Sequence, residues 1–465
     1  MASFSSLNFI FRFLPIFIIL YYLVPAKART VVSIVGSLVF YAAGEPFCIA
    51  LLVALSLINC LMARLSFAFD YRNRNKRGSR KKGRVKKKTN GRRIITSIMI
   101  TLDILTLVTF KFMNFADKNI VIPLGLSFYI FKMISLQSDV LSGKIKKKPP
   151  FWEILNYFVL FPQISQGPIM RFEDAFLEKG KKLRVLNLEK GLWYFSVGLA
   201  MKTLLADRIG ILWNDIGMYG FEVISTPLAW MGVFAYSFEL YFDFWGYSLM
   251  ASGIMVAMGY RFVRNFDNPY ASRTVSDFYR RWHMTLGSFF RDYVYFPMGG
   301  SRCSKKKMVL NLAIVWLLTG LWHGNGLNFL IWGAFLGLFI IIEKLWSGKF
   351  LAGTFVGNIY VLLVIPLSWM IFAIKDVRSL LSFGGRLIGV GGENPLIDRL
   401  DFLPYIRDYG VLFLAAAVLC VPPVVNLLKE WGKKWYGIMV VMILFWVSVY
   451  FCALGQANPF MYLNF

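Results

Sequence analysis

Apolar runs long enough to cross a bilayer recur from one end of this chain to the other, and no other feature restricts its fold as severely. The clearest occupy residues 47–63, 94–110, 327–342, 360–374, 411–428 and 438–454. About 20 helical residues rising about 1.5 Å each cover about 30 Å of hydrocarbon. Weaker runs at 9–24, 31–43, 120–140, 192–205, 230–246 and 309–321 bring the expectation to roughly ten to thirteen spans, with the number left open. Hydrocarbon offers no water to backbone amides, so segments of this length must satisfy their own hydrogen bonds as helices. The expected fold class is therefore all-α, a polytopic membrane protein. A hydrophobic content of 57% and a mean hydropathy of +0.57 agree, since soluble chains average about half apolar residues.

The formal charge is +27, and its distribution matters more than its size. Thirteen lysines and arginines lie between Arg72 and Arg93 with no acid among them. A nucleic-acid arm is conceivable, but a basic loop between spans is read as a cytoplasmic topology signal resting on anionic lipid headgroups. The partners expected from it are membrane lipids, and no nucleic acid. Lys144 with Lys146, Lys147 and Lys148, and Arg302 with Lys305, Lys306 and Lys307, form two further clusters that should face the same side. Cys48, Cys60, Cys303, Cys420 and Cys452 have neither CxxC spacing nor histidine neighbours, so neither a disulfide framework nor a metal site is indicated. The first apolar stretch contains Arg12 and has no clear small-residue cleavage site, and it reads as a retained helix. Residues 1–465 read as one membrane domain with a basic cytoplasmic loop at 72–93.

Two stretches depart from simple spans. In FPQISQGPIMRF, residues 161–172, Pro162, Gly167 and Pro168 interrupt helical hydrogen bonding. Irregular backbone at membrane depth survives only where protein or a water-filled cavity surrounds it, so a re-entrant segment or a cytoplasmic loop is expected. Residues 265–302 are strongly polar, with Arg273, Arg280, Arg281 and Arg291. Each would cost about 2.5–3.5 kcal/mol at the centre of a lipid-facing helix. They should face headgroups, water or acids such as Asp277 and Asp292, on amphipathic or short helices lining a cytoplasmic cavity.

The chain has two histidines, His283 and His323. His323 lies in WLLTGLWHGNGLNFLIWG, about 24 Å above Lys307 if the run is helical at about 1.5 Å per residue. An ionisable group at that depth is a functional candidate, and a neutral imidazole suits a general base. The alternative is a structural histidine bonded to a carbonyl. His283, in DFYRRWHMTLGSFFRDY, could orient a substrate or donate to a developing oxyanion, or simply belong to a solvated face. Glu239 and Asp243 share a helix face at i and i+4, which suits a proton or cation pathway, or pairing with a buried arginine. No P-loop, dinucleotide fingerprint, GxSxG elbow or HExxH occurs, which argues against ATPases and common soluble hydrolases.

Taken together, PLGLSFYIFKMISLQSDV, FPQISQGPIMRF, NFDNPYASRTVSDFYRRWHMTLGSFFRDYVYFPMGGSR, LLTGLWHGNGLNFLIWG and the closing NPFMYLNF resemble the membrane-bound O-acyltransferase family. The likeness is greatest to its bacterial branch of alginate and peptidoglycan O-acetylation proteins. It implies helical spans around a central tunnel, with His323 of the WHG motif and His283 of the RRWH motif as the catalytic residues. Trp322, Glu239, Asp243, Arg280, Arg281, Arg291 and Asp292 are then expected along the substrate path. The resemblance further implies cytoplasmic acetyl-CoA as acyl donor with no bound cofactor, and an extracytoplasmic esterase-like partner that decorates a surface polysaccharide. The setting would be a multi-pass protein of a bacterial cytoplasmic membrane. D-alanyl transfer to teichoic acid, and a transporter or flippase working through Glu239, Asp243 and the segment near Gly167, are the competing readings.

Overall fold

A computed structural model describes residues 3–78, 90–117, 120–176, 184–390, 397–456, 458 and 460–461; the centre of the basic loop, 79–89, lies outside them. All regular structure among the described residues is helical. Six helices are long and apolar enough to cross a membrane: Ile49–Phe67, Gly91–Ala116, Leu327–Gly353, Val356–Ala373, Phe402–Leu419 and Trp435–Ala453. Each answers to one of the six clearest apolar runs. The run at 411–428 is broken, because Pro422 and Pro423 open a new helix, Pro422–Trp431; proline has no amide to continue the old one. The weaker runs are largely helical too, but none lies in a helix that is both long and apolar enough to join those six. Residues 9–24 and 31–43 form the shorter apolar helices Phe9–Leu23 and Arg29–Gly44. Residues 230–246 lie inside the 32-residue helix Thr226–Ala257, and the run at 120–140 becomes helical only at Leu126.

The chain divides into two compact units, Met1–Leu192 with Ala251–Val263, and Trp193–Met250 with Arg264–Phe465. In the first, polar side chains tie spans together where lipid offers no alternative partner. Asn59 donates to Asp103 at 2.9 Å, and Gln137 donates to Asn59 Oδ1 at 3.1 Å. The interrupted stretch leaves its helix, Phe151–Val159, at Leu160 and passes through a single 3₁₀ turn, Phe161–Gln163. Every residue from 160 to 170 is buried, as irregular backbone in a membrane requires. Ser37 accepts from the Phe161 amide at 3.0 Å, and the Phe161 ring sits among Phe13, Phe17 and Phe40. Glycine is needed at two close approaches: a Cβ on Gly125, whose φ is +67°, would lie 1.8 Å from the Ile164 carbonyl oxygen, and one on Gly167 would lie 2.1 Å from that of Pro162.

The second unit is built on the helix pair Lys305–His323 and Leu327–Ile342. Gly333 lets the Trp316 carbonyl approach to 2.5 Å of where a Cβ would stand, and Gly320 does the same for the Phe329 carbonyl at 2.4 Å. Small residues bring two backbones together, and dispersion supplies the attraction that a hydrophobic effect cannot supply inside lipid. Helix Phe402–Leu419 has only 6% of its span buried, so its leucines and valines meet lipid. Lys305, Lys306 and Lys307 occupy the first turn of their helix, against its dipole; that unfavourable placement fits a topology signal better than a helix stabiliser.

Gly125→Ala should cost more than about 3 kcal/mol, because backbone must move. Gly143→Ala, at φ +79° with nothing within 4 Å, should cost only the left-handed penalty of about 1–2 kcal/mol. Thermal unfolding in detergent compares them; equal losses would contradict the packing of the 160–170 stretch against residue 125.

Candidate active site

The polar stretch after the long helix Thr226–Ala257 folds as two short helices, Val275–Arg281 and Met284–Phe290, joined at a corner. A seven-residue helix is not stable alone, and its first amides need acceptors. Thr274 accepts from the Asp277 amide at 3.0 Å. Glu343, buried at the far end of the apolar run 327–342, accepts from the amides of Val275 and Ser276 at 2.5 and 2.9 Å, and from the Ser276 hydroxyl at 2.6 Å. Tyr360 donates to the same carboxylate at 3.1 Å. An anion at a helix N-terminus also meets the positive end of the dipole, so one carboxylate fixes where this helix begins.

The corner is His283, in the left-handed region at φ +44°, ψ +53°, a conformation that costs a residue with a Cβ about 1–2 kcal/mol. Asn265 holds it. Its carbonyl oxygen Oδ1 faces the Thr285 amide at 3.2 Å, the Thr285 hydroxyl at 2.9 Å and His283 Nδ1 at 3.2 Å. Its side-chain nitrogen donates to Ser248 at 3.0 Å, and its backbone oxygen accepts from the Met284 amide at 2.9 Å. A backbone amide can only donate, so the atom facing Thr285 is the amide oxygen; His283 Nδ1 must then carry the proton, which leaves the lone pair on Nε2. Burial pushes the imidazole well below its ordinary pKa, because desolvation disfavours the cation. This geometry is that of a neutral ring with its acceptor at Nε2, which suits orienting a substrate donor, the first of the two roles considered from sequence.

His323 is the last residue of the helix Lys305–His323, and Gly324 continues it fully extended. A Cβ at Gly324 would stand 2.2 Å from the Phe329 ring, so any larger residue here would have to displace that ring. The imidazole, 9% exposed, is enclosed edge-to-face by Trp332 and Phe372 with centroids at 4.9 and 5.0 Å, and by Trp322 at 4.5 Å. Trp322 in turn lies 6.3 Å from the His283 ring, whose other side meets Phe244 at 4.7 Å. Trp282, Trp332 and Trp369 close the group. Residues forty positions apart thus bring both histidines to one tryptophan, inside apolar walls that keep water scarce.

The other anticipated residues are not all gathered there. Arg280 and Arg281 pair with Asp277 at 3.6 and 3.0 Å, and Arg291 pairs with Asp292 at 2.9 Å, the acidic partners expected of them. Asp243 meets Lys202 at 2.8 Å, and Lys202 also binds Asp207. The carboxylate's partner is thus a lysine contributed by the π-helical turn Met201–Ala206, where an arginine was expected. The Met461 amide donates to Asp243 at 3.1 Å, and Glu239 packs against Gly210. Sequence reasoning missed Asn265 and Glu343. Glu343 carried a readable signal, a lone acid ending a sixteen-residue apolar helix; Asn265 carried none beyond its type.

Asn265→Ala should remove three donors' acceptor at once and cost about 2–4 kcal/mol of stability. Asn265→Asp keeps the acceptor oxygens but sets a carboxylate on the imidazole, which favours imidazolium. Its folded-state His283 pKa is raised, so the neutral ring is lost as pH falls. The ratio of wild-type to Asn265→Asp rates should widen as pH falls from about 7 to about 5, since a neighbouring carboxylate raises an imidazole pKa by about 1–3 from its depressed value. A constant ratio would refute the tautomer assigned to His283.

The described site lies within a match to the membrane-bound O-acyltransferase family profile over residues 38–383. The "Probable alginate O-acetylase AlgI" of Pseudomonas putida is 29% identical over 99% of this chain and 100% of its own length. The peptidoglycan O-acetyltransferase of Helicobacter pylori is 29% identical over 64% of the chain and 63% of its own length. The teichoic acid D-alanyltransferase of Bacillus subtilis is 31% identical over 47% of the chain and 58% of its own length. With the profile spanning most of the sequence and both motif histidines inside it, this multi-pass helical membrane protein belongs to the membrane-bound O-acyltransferase family and is an acyltransferase.

Proposed function

We propose that the protein moves acetyl groups from cytoplasmic acetyl-CoA across a bacterial cytoplasmic membrane, through a tunnel between its helices, to an extracytoplasmic esterase-like partner that O-acetylates a surface polysaccharide. The observation that carries this reading is the meeting of His323 and His283 at Trp322 within an apolar aromatic enclosure. His323 takes the proton of the acceptor hydroxyl as its oxygen attacks the thioester carbonyl. The C–S bond then breaks and the thiolate leaving group recovers that proton. The imidazolium formed in passing lies at the negative end of its helix, a contribution of about 0.5–1 kcal/mol. His283, as an acceptor at Nε2, orients a hydroxyl or amide of the substrate.

The acetylation reading is favoured over D-alanyl transfer by the extent of the alignment, which runs the full length of the P. putida protein and about half of this chain for the D-alanyl enzyme. The transporter reading loses its acidic pathway in part, since Asp243 is engaged by Lys202 and the Met461 amide.

His323→Ala should reach the membrane in wild-type amount while acetyl transfer falls by about 10²–10⁴-fold, the range for loss of a general base. Labelled acetyl-CoA supplied to inverted vesicles, with acetyl recovered on the lumenal side, gives the measurement. Undiminished transfer by the variant would remove His323 from the chemistry.

A further inference from the structure

The mechanism above leaves three arginines unused, and the structure collects them. Arg273, Arg280 and Arg281 line one cleft of about 420 Å³ together with Ala271, Thr274, Asp277 and Ala352. Its only carboxylate is Asp277, so three guanidiniums against one acid give the cleft a formal charge of +2. Asp277 uses both oxygens on Arg280 and Arg281, while Arg273 is tied to the Ala352 carbonyl at 3.1 Å. Those contacts engage one nitrogen of each fork, and a guanidinium carries five N–H donors. The Arg280 side chain is 74% exposed and that of Arg281 37%, so neither is committed to the interior. Arginine is suited to phosphate because its planar fork binds two oxygens at once. The volume is within the range of small-ligand pockets, about 300–1,000 Å³.

The cleft's position adds to its composition. Arg280 and Arg281 form the last turn of the helix that ends at the His283 corner, and two residues span at most about 7 Å. Glu343 and Thr274 fix the other end of that helix, so the arginines are set rigidly beside the histidine site.

We propose that this cleft binds the phosphate groups of the phosphorylated acyl donor, so that its thioester arm reaches from Arg273, Arg280 and Arg281 to the histidines. The assignment rests on the donor being a CoA thioester, as proposed above. Its chemistry is that of phosphate esters generally, and an anionic lipid headgroup is the other source of the same group.

Acetyl-CoA and acetyl-pantetheine, which has the same thioester and no phosphate, separate the possibilities in vesicles of pure phosphatidylcholine. In Arg280→Ala and Arg273→Ala the KM for acetyl-CoA should rise about tenfold or more, against less than about twofold for acetyl-pantetheine. Equal changes for the two thioesters, or none for either, would overturn the proposal. So would an arginine effect that appears only when phosphatidylglycerol replaces phosphatidylcholine, which would assign the cleft to lipid. Binding of adenosine 3′,5′-bisphosphate to the purified protein reads the cleft without any transfer step. Binding that weakens in both variants supports the cleft even if acetyl-CoA proves not to be the donor, and binding indifferent to them refutes it.

Discussion

A bilayer leaves no water to complete a broken hydrogen bond, and this protein interrupts its helices twice at places where the interruption matters. Each break exists only because other parts of the chain answer the exposed amides. At 160–170 Ser37 and close backbone packing through Gly125 and Gly167 do so. Around the histidine corner the work falls to Glu343 and Asn265, whose side-chain oxygens between them face seven donors. The candidate site is thus an irregular segment hung between two buried polar side chains, with helices as its frame.

Lys202 shows the same logic for charge. Lys202 is buried and accepted by two aspartates, a triad whose members would each be prohibitive alone. Arg280, Arg281 and Arg291 of the polar stretch, by contrast, keep between about a third and three quarters of the side chain in the open, each with one acidic partner, where pairing contributes little to stability. Buried charges here hold helices together, and exposed ones remain available to a ligand.

Much of this was readable from residue order. Long apolar runs gave the spans, and scarcity singled out His283 and His323, since only two imidazoles had to be placed. The i, i+4 carboxylates Glu239 and Asp243 were correctly found on one helix, but their neighbour was not: Lys202 is contributed by a different helix, at a π-turn that periodicity does not announce. The same holds for Glu343, sixty-eight positions from the amide it caps, and for Asn265, whose worth comes from a left-handed corner eighteen residues on. Local composition fixes which groups are costly to bury; it does not say which distant group will offset the cost. The break at Cys420 to Pro422 was local, and Pro422 with Pro423 was a signal that reading 411–428 as one run passed over.

The ring shared by the histidines has a further bearing on how protons travel. An indole can give a hydrogen bond but has no lone pair to receive one, so Trp322 cannot pass a proton from one imidazole to the other. Each base must therefore settle its own account with whatever molecule touches it. In the mechanism proposed above, a proton lifted from an incoming hydroxyl leaves on the departing sulfur, and acyl transfer by that route need not leak hydrogen ions alongside.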